Sequence, residues 1–248
     1  MKNYQDVVND RFDQEENVEN SIYSVNHPIG KYTHEVIFAG MKKALLWYKK
    51  EHGALSSKKL LDVGCGDGGM IQFFIESGFE PTNTTGIDLS QVRIDRAKAR
   101  NIGSNFKCED AIYFQLEKKF DLIVSFDLYS HFNTEEQIVT GLKNKLNHLA
   151  PNGVFFWYDI YSKDHFSPAE NADSWGFNKK QMIELAEKAG FEVVLTKPFF
   201  KNFFNRYHSI YQVKRLSPRV VKTLEMILPG MPGNLLLVLK KKDILNQV

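Results

Sequence analysis

Between residues 60 and 240 the chain alternates short apolar runs with amphipathic stretches, the rhythm of strands separated by helices. Leu60–Val63 (LLDV) predicts a short buried strand running into GCGDGG, and the pattern MIQFFIESG after it predicts a helix. TTGIDL at 84–89 predicts a second strand. Residues 90–100 predict a helix with Ser90 as its N-cap, the hydroxyl accepting from an otherwise unpaired backbone N–H. A weaker strand at 105–107 precedes Glu109-Asp110-Ala111, and FDLIVSF at 120–126 is an apolar run of the kind found inside parallel sheets. Residues 134–149 predict a helix, Pro151-Asn152-Gly153 a turn, and VFFWYD at 154–159 a fifth strand. A helix over 177–189 ended by Gly190, a strand at 191–195, a helix around 218–227 and a closing strand NLLLVLK at 234–240 complete the series. Upstream, apolar positions from Val36 to Tyr48 predict one amphipathic helix over 32–50, stopped near Gly53.

Strands joined by helices of this length imply βαβ units with right-handed crossovers, hence an α/β fold with a mostly parallel sheet. The last two strands break the rule. The stretch 196–233 between them is basic and aromatic, and it reads as a cap laid over the strand ends, where open α/β sheets bind ligands. The expected organisation is a single domain: a helical cover over 1–55, a core over 56–160 and the cap insertion over 196–233.

Composition changes this picture little. With 32 basic and 30 acidic side chains in 248 residues, the chain is near neutral and does not read as a nucleic-acid binder. The charge is unevenly placed: residues 1–20 carry six acids, whereas 197–222 carry seven bases and no acid. Cys65 and Cys108 are the only cysteines, which gives neither a disulfide framework nor zinc spacing. No apolar run is long enough to cross a membrane, and the opening residues do not resemble a secretory signal. A cytoplasmic location is therefore expected, and a homodimer is compatible with the sequence.

The glycines of GCGDGG stand where a strand turns into a helix, so backbone can approach a ligand that a Cβ would obstruct. Asp88 ends the next strand, about 20 residues on, where a carboxylate can accept from ribose hydroxyls. A dinucleotide and S-adenosylmethionine both fit that much, because Gly64, Gly66 and Gly69 satisfy the dinucleotide spacing. Three features favour the second ligand. Asp62 is an awkward charge beside a pyrophosphate but a suitable partner for an amino group. The motif starts far enough into the chain to leave N-terminal helices as a cover. Glu109-Asp110-Ala111 offers a carboxylate for an adenine amine.

The ordered run LLDVGCGDG, GIDLS, CEDA, FDLIVSFD and LAPNGVFFWYD resembles the motif series of class I, Rossmann-like S-adenosylmethionine-dependent methyltransferases over residues 60–159. The VFFWYDI ending and the basic aromatic tail resemble, more loosely, bacterial methyltransferases of cell-surface saccharide pathways. The first resemblance implies a three-layer αβα fold with strand order 3-2-1-4-5-7-6 and the seventh strand antiparallel. It also implies that Asp62, Gly64, Cys65 and Gly66 cradle the methionine part of the cofactor. Asp88 would hold the ribose and Leu89 would lie against the adenine. Asp110 and Ala111 would read the adenine edge, and Ser125 and Phe126 would pass the sulfonium. S-adenosylhomocysteine would be the product.

The sulfonium methyl is already activated, so the protein has mainly to position the acceptor and exclude water. A hydroxyl acceptor also benefits from a general base, and His131 and Asp159, each just beyond a strand, are the candidates. Trp157 and Tyr158 alternate on their strand, so one should be core and the other, taken as Tyr158, should face the acceptor. Tyr23 lies in the break before the first long helix and is a candidate for closing over the site. Arg206 and Arg215, among Phe199, Phe203 and Tyr207, suit an anionic acceptor such as a nucleotide- or lipid-linked sugar. Asp127 and Asp159 could share a divalent cation, but no third ligand follows, and no metal is expected. The expected function is methyl transfer to O or N of a small polar metabolite. Two other readings stay open: an RNA methyltransferase and an inactive methyltransferase-fold partner subunit. A nicotinamide-dependent dehydrogenase is a further alternative, unsupported by any tyrosine–lysine pair at helical spacing.

Overall fold

The computed structural model describes residues 28–100, 102–163, 176–199, 217–228 and 230–242. Within them the alternation read from the sequence is present: α1 (Pro28–His52), β1 (Leu60–Val63), α2 (Gly69–Glu76), β2 (Thr84–Asp88), α3 (Gln91–Ala99), β3 (Asn105–Cys108), β4 (Phe120–Phe126), α4 (Glu135–His148), β5 (Leu149–Ile160), α5 (Lys179–Lys188), β6 (Phe191–Pro198), α6 (Pro218–Ile227) and β7 (Asn234–Lys241). Helix starts follow side-chain capping. Ser90, Thr134, Asn178 and Ser217 each accept from the backbone N–H three residues on. Glu135 and Glu136 in the first turn of α4 face the positive end of its dipole.

The strands form one seven-stranded sheet in the order β3-β2-β1-β4-β5-β7-β6. β2 pairs β1 and β3, and β4 pairs β1 and β5, all in parallel. β7 runs antiparallel. Its pairing with β6 shows this directly: the Phe199 N–H donates to Asn234 O, and the Lys242 N–H to Gly190 O, so one strand rises as the other falls. β1 is buried at all four positions, as a strand covered on both faces must be. Side chains of β4, β5, α4, α5 and β7, with Tyr129 and Phe132, build an extended apolar cluster.

One boundary differs from the sequence expectation. Pro151-Asn152-Gly153 does not precede β5 but lies within it. Phe120 pairs Leu149 and Leu122 pairs Val154, so β5 carries three more residues than β4 across that step. Asn152 takes φ 62°, and the ladder resumes at Val154. A bulge of this kind bends a strand without ending it.

Among the described residues, those of 28–53 and 198–234 form one compact unit, and those of 54–197 and 235–242 form the other. In the first, Ile29, Tyr32 and Val221 join α1 to α6 through an apolar contact. In the second lie the sheet from β1 to β5 and every described residue of the candidate site below, with all distances internal to it.

Candidate functional site

The register sets the site. Asp62 stands opposite Gly86 of β2 and Val124 of β4, Asp88 opposite Cys108 of β3, and Phe126 opposite Tyr158 of β5. The carboxyl ends of five parallel strands therefore come level along one edge of the sheet, where each chain leaves its strand.

The loop after β1 is built for close approach. Gly64 and Gly66 take φ 80° and 53°, a left-handed conformation that costs glycine little and other residues more. A Cβ on Gly64 would come within 3.0 Å of Leu128 Cδ1, so this loop and the one leaving β4 pack against each other there. The N–H groups of Gly64 and Cys65 both donate to Ile87 O, at 2.8 and 2.9 Å. Asp88 ties the loop to β2: its Oδ2 accepts from Gly66 N–H and its Oδ1 from Ser90 N–H, each at 2.9 Å. Cys65 packs inward near Gly86, and burial, followed by the charges of Asp62 and Asp88, pushes its thiol well above its ordinary pKa. A thiol held protonated is a poor nucleophile.

Asp62 is 1% exposed, and neither carboxylate oxygen receives a hydrogen bond. Burial, and then the nearby Asp88 charge, raises its pKa to about 8. The Ser125 hydroxyl on β4 is likewise buried without a partner. Buried polar groups are normally satisfied, so these mark a place where the protein's own hydrogen bonding is incomplete.

Beyond β3, Asp110 Oδ1 accepts from Ile112 N–H at 2.7 Å, and its carbonyl accepts from Tyr113 and Phe114. Asp110, Ala111 and Leu89 are all half-buried. Phe126 is half-buried with its ring 6.3 Å from Phe74 and 5.5 Å from Tyr158. Asp127, next in the chain, takes φ 46° and donates its N–H to Tyr158 O. His131 ends the short turn Tyr129–His131 and is half-buried.

Asp159 is 0% exposed and already engaged on both oxygens. Oδ2 accepts from Tyr129 N–H at 2.9 Å and Trp157 Nε1–H at 3.1 Å, and Oδ1 from Ile160 N–H at 3.0 Å. Burial lifts its pKa to about 6 in spite of these donors. The carboxylate therefore fastens the Tyr129–His131 turn to β5, and the candidate general base His131 rides on that turn. Trp157 and Tyr158 do not divide between core and pocket as the alternation predicts. Both are buried, since β5 is covered on both faces. Tyr23, Arg206 and Arg215 lie outside the described residues. Among the described residues no group of three His, Cys, Asp or Glu is arranged to hold a metal ion.

Three side chains of α4 were not singled out by the sequence. Asn144, Lys145 and His148 all contact the segment that follows Asp110. The available signal was a lysine on the apolar stripe Ile138, Leu142, Lys145.

The residues at the strand ends fit S-adenosylmethionine. Asp62 within β1, Asp88 at the end of β2 and Asp110 just beyond β3 put three carboxyl groups in sequence along this edge, and as carboxylates they suit an ammonium, a diol and an aromatic amine. Asp62, protonated at neutral pH without a ligand, would give up its proton to the ammonium's charge. The same row of acids would oppose a pyrophosphate. The unsatisfied Asp62 is the observation that discriminates, because an ammonium supplies the donors it lacks.

Comparison with known proteins agrees. Residues 61–155 match the model of the family described as "Methyltransferase domain". The chain is 30% identical over 110 residues to a malonyl-[acyl-carrier protein] O-methyltransferase of Bacillus anthracis, covering 44% of this chain and 39% of that protein. It is 28% identical over 120 residues to the dTDP-3-amino-3,4,6-trideoxy-alpha-D-glucopyranose N,N-dimethyltransferase of Streptomyces venezuelae, covering 48% and 47%. The match thus spans less than half the length of either relative. In fold, the chain is similar to the magnesium protoporphyrin IX methyltransferase of Synechocystis PCC 6803, whose structure holds S-adenosylhomocysteine. The TM-score is 0.65 at 14% identity, over 96% of this chain and 100% of that one. Residues 61–155 thus match a methyltransferase-domain model, and the sheet order with its antiparallel β7 is that of the Rossmann-like methyltransferase fold.

Proposed function

We propose that this protein transfers the methyl group of S-adenosylmethionine to an oxygen or nitrogen of a small polar acceptor and releases S-adenosylhomocysteine. The observation that carries the reading is the buried Asp62 carboxylate, without a hydrogen bond, beneath a left-handed glycine loop. In this reading Asp62 and the loop backbone at Gly64–Gly66 receive the methionine amino and carboxyl ends. Asp88 receives the ribose hydroxyls, Leu89 packs on the adenine, and Asp110 with the Ala111 backbone reads its edge. Ser125 and Phe126 line the path to the reacting atoms. Bound there, the cofactor supplies a methyl group already activated for attack.

The protein's own contribution is positioning. His131 takes the proton that an attacking hydroxyl loses, and Asp159 holds the turn that carries His131 rather than reacting itself. An amine acceptor needs no such base once it arrives unprotonated. The two named relatives act at oxygen and at nitrogen, and the acceptor class proposed here spans both. The seven basic residues of 197–222, Arg206 and Arg215 among them, support an anionic acceptor. No described helix is long and apolar enough to cross a membrane.

Thermal unfolding with and without S-adenosylhomocysteine tests the reading. Saturating ligand should raise the melting temperature of the wild type, and Asp62→Asn should weaken binding about tenfold or more, because a charge-assisted contact is lost. Equal stabilisation of both proteins would remove Asp62 from the cofactor site.

A further inference from the structure

Between β3 and β4 the chain runs from Asp110 to Lys119 without belonging to any strand, so no sheet ladder satisfies its backbone. Three side chains from the last turns of α4 take over that task. Asn144 Nδ2 donates to Ile112 O at 3.1 Å and to Phe114 O at 3.0 Å. Lys145 Nζ donates to Ala111 O at 3.1 Å and to Gly141 O of its own helix at 3.4 Å. His148 Nε2 accepts from Leu116 N–H at 3.2 Å, which leaves its proton on Nδ1 to donate to Asn144 O at 2.8 Å.

Lys145 is the unusual member. It is 0% exposed and lies on the apolar face of α4 among Ile138, Gly141 and Leu142, where the packing of the helix asks only for an apolar side chain. Its ammonium sits over the rings of Tyr129 at 4.8 Å and Phe114 at 5.7 Å. Two carbonyls and two ring faces thus surround a buried cation, and one of the carbonyls belongs to Ala111. Burial draws its pKa down to about 7, against the pull of the Asp110 carboxylate. Placing a lysine here is unfavourable for folding unless the bonds to 111–116 are needed.

We propose that Lys145, seconded by Asn144 and His148, is a positioning residue for cofactor recognition: it fixes the Ala111 carbonyl, and so sets the angle at which Asp110 and the Ala111 N–H meet the adenine edge. This rests on the assignment of Asp110–Ala111 to the adenine made above. The clamp acts from behind the segment. It should therefore control discrimination at the purine edge and leave the methionine and ribose contacts of Asp62 and Asp88 intact.

The test is calorimetric titration of wild type and Lys145→Met with two ligands, S-adenosylhomocysteine and S-inosylhomocysteine, in which the purine amine is replaced by oxygen. Methionine keeps the apolar stem and removes the ammonium. The wild type should prefer the adenosyl ligand. Lys145→Met should bind it about tenfold more weakly while binding the inosyl ligand unchanged, so that the preference collapses. If Lys145→Met does not fold, Asn144→Ala retains the buried ammonium, removes two of the bonds and should narrow the same ratio. Equal weakening of both ligands, or no change in either, would overturn the proposal. A wild type that binds both ligands equally would instead show that Asp110 does not read the purine edge. A wild type that binds neither would remove the function proposed above, and this inference with it.

Discussion

Asp62 shows how a single residue can carry both a stability signature and a functional one. Its carboxyl titrates at about 8 in the folded protein, against an ordinary 3.8, so the folded chain holds this proton more tightly than the unfolded chain. The stability it contributes is present below about pH 4 and is lost as pH rises towards 8. Asp159, raised to about 6, adds a decline of the same sign that ends lower. The ligand-free wild type should therefore lose about 2 kcal/mol between pH 6 and 8 from Asp62 alone. Urea denaturation at the two pH values checks this. In Asp62→Asn the decline above pH 6 should disappear, and a decline that persists would place the titrating group elsewhere. The sequence made Asp62 a candidate because an acid in the strand before a glycine loop is an awkward neighbour for phosphate. It could not show that both oxygens lack donors, since that depends on what the neighbouring strands fail to supply.

At the scale of elements, the turn Tyr129–His131 is held to β5 by one carboxylate, and α4 holds the segment after Asp110 by three polar side chains. Asp159→Ala should leave the Tyr129 N–H and Trp157 Nε1–H buried without an acceptor. At about 1–3 kcal/mol for each such group, the loss should be about 3 kcal/mol, measurable by urea denaturation. A change under about 0.5 kcal/mol, the size of an ordinary surface substitution, would mean that Asp159 does not anchor the turn. Element boundaries were legible where local chemistry sets them. The apolar runs of β1 and β4 and the cap at Ser90 fall where the sequence puts them. The start of β5 was not legible, because Pro151-Asn152-Gly153 has turn composition and only pairing with β4 reveals a bulge. Lys145 was not legible for a related reason. Its partner outside the helix, the Ala111 carbonyl, lies 34 positions earlier, and a lysine in a helix pattern reads as solvated.

For the whole molecule, the sheet order and its antiparallel β7 follow from the family resemblance and from pairing, whereas composition alone would have stopped at α/β. The fold by itself hosts many chemistries, so the assignment depends on the site. That site is a row of strand ends whose acids suit an adenosyl amino acid better than a dinucleotide. The most direct test is calorimetric titration with S-adenosylmethionine, S-adenosylhomocysteine and NAD, each repeated on Asp88→Ala. Both adenosyl ligands should bind the wild type and NAD should not, and loss of the Asp88 carboxylate should weaken both, since it also releases Gly66 and Ser90. Binding of NAD without either adenosyl ligand, or adenosyl binding unaffected by Asp88→Ala, would contradict the account.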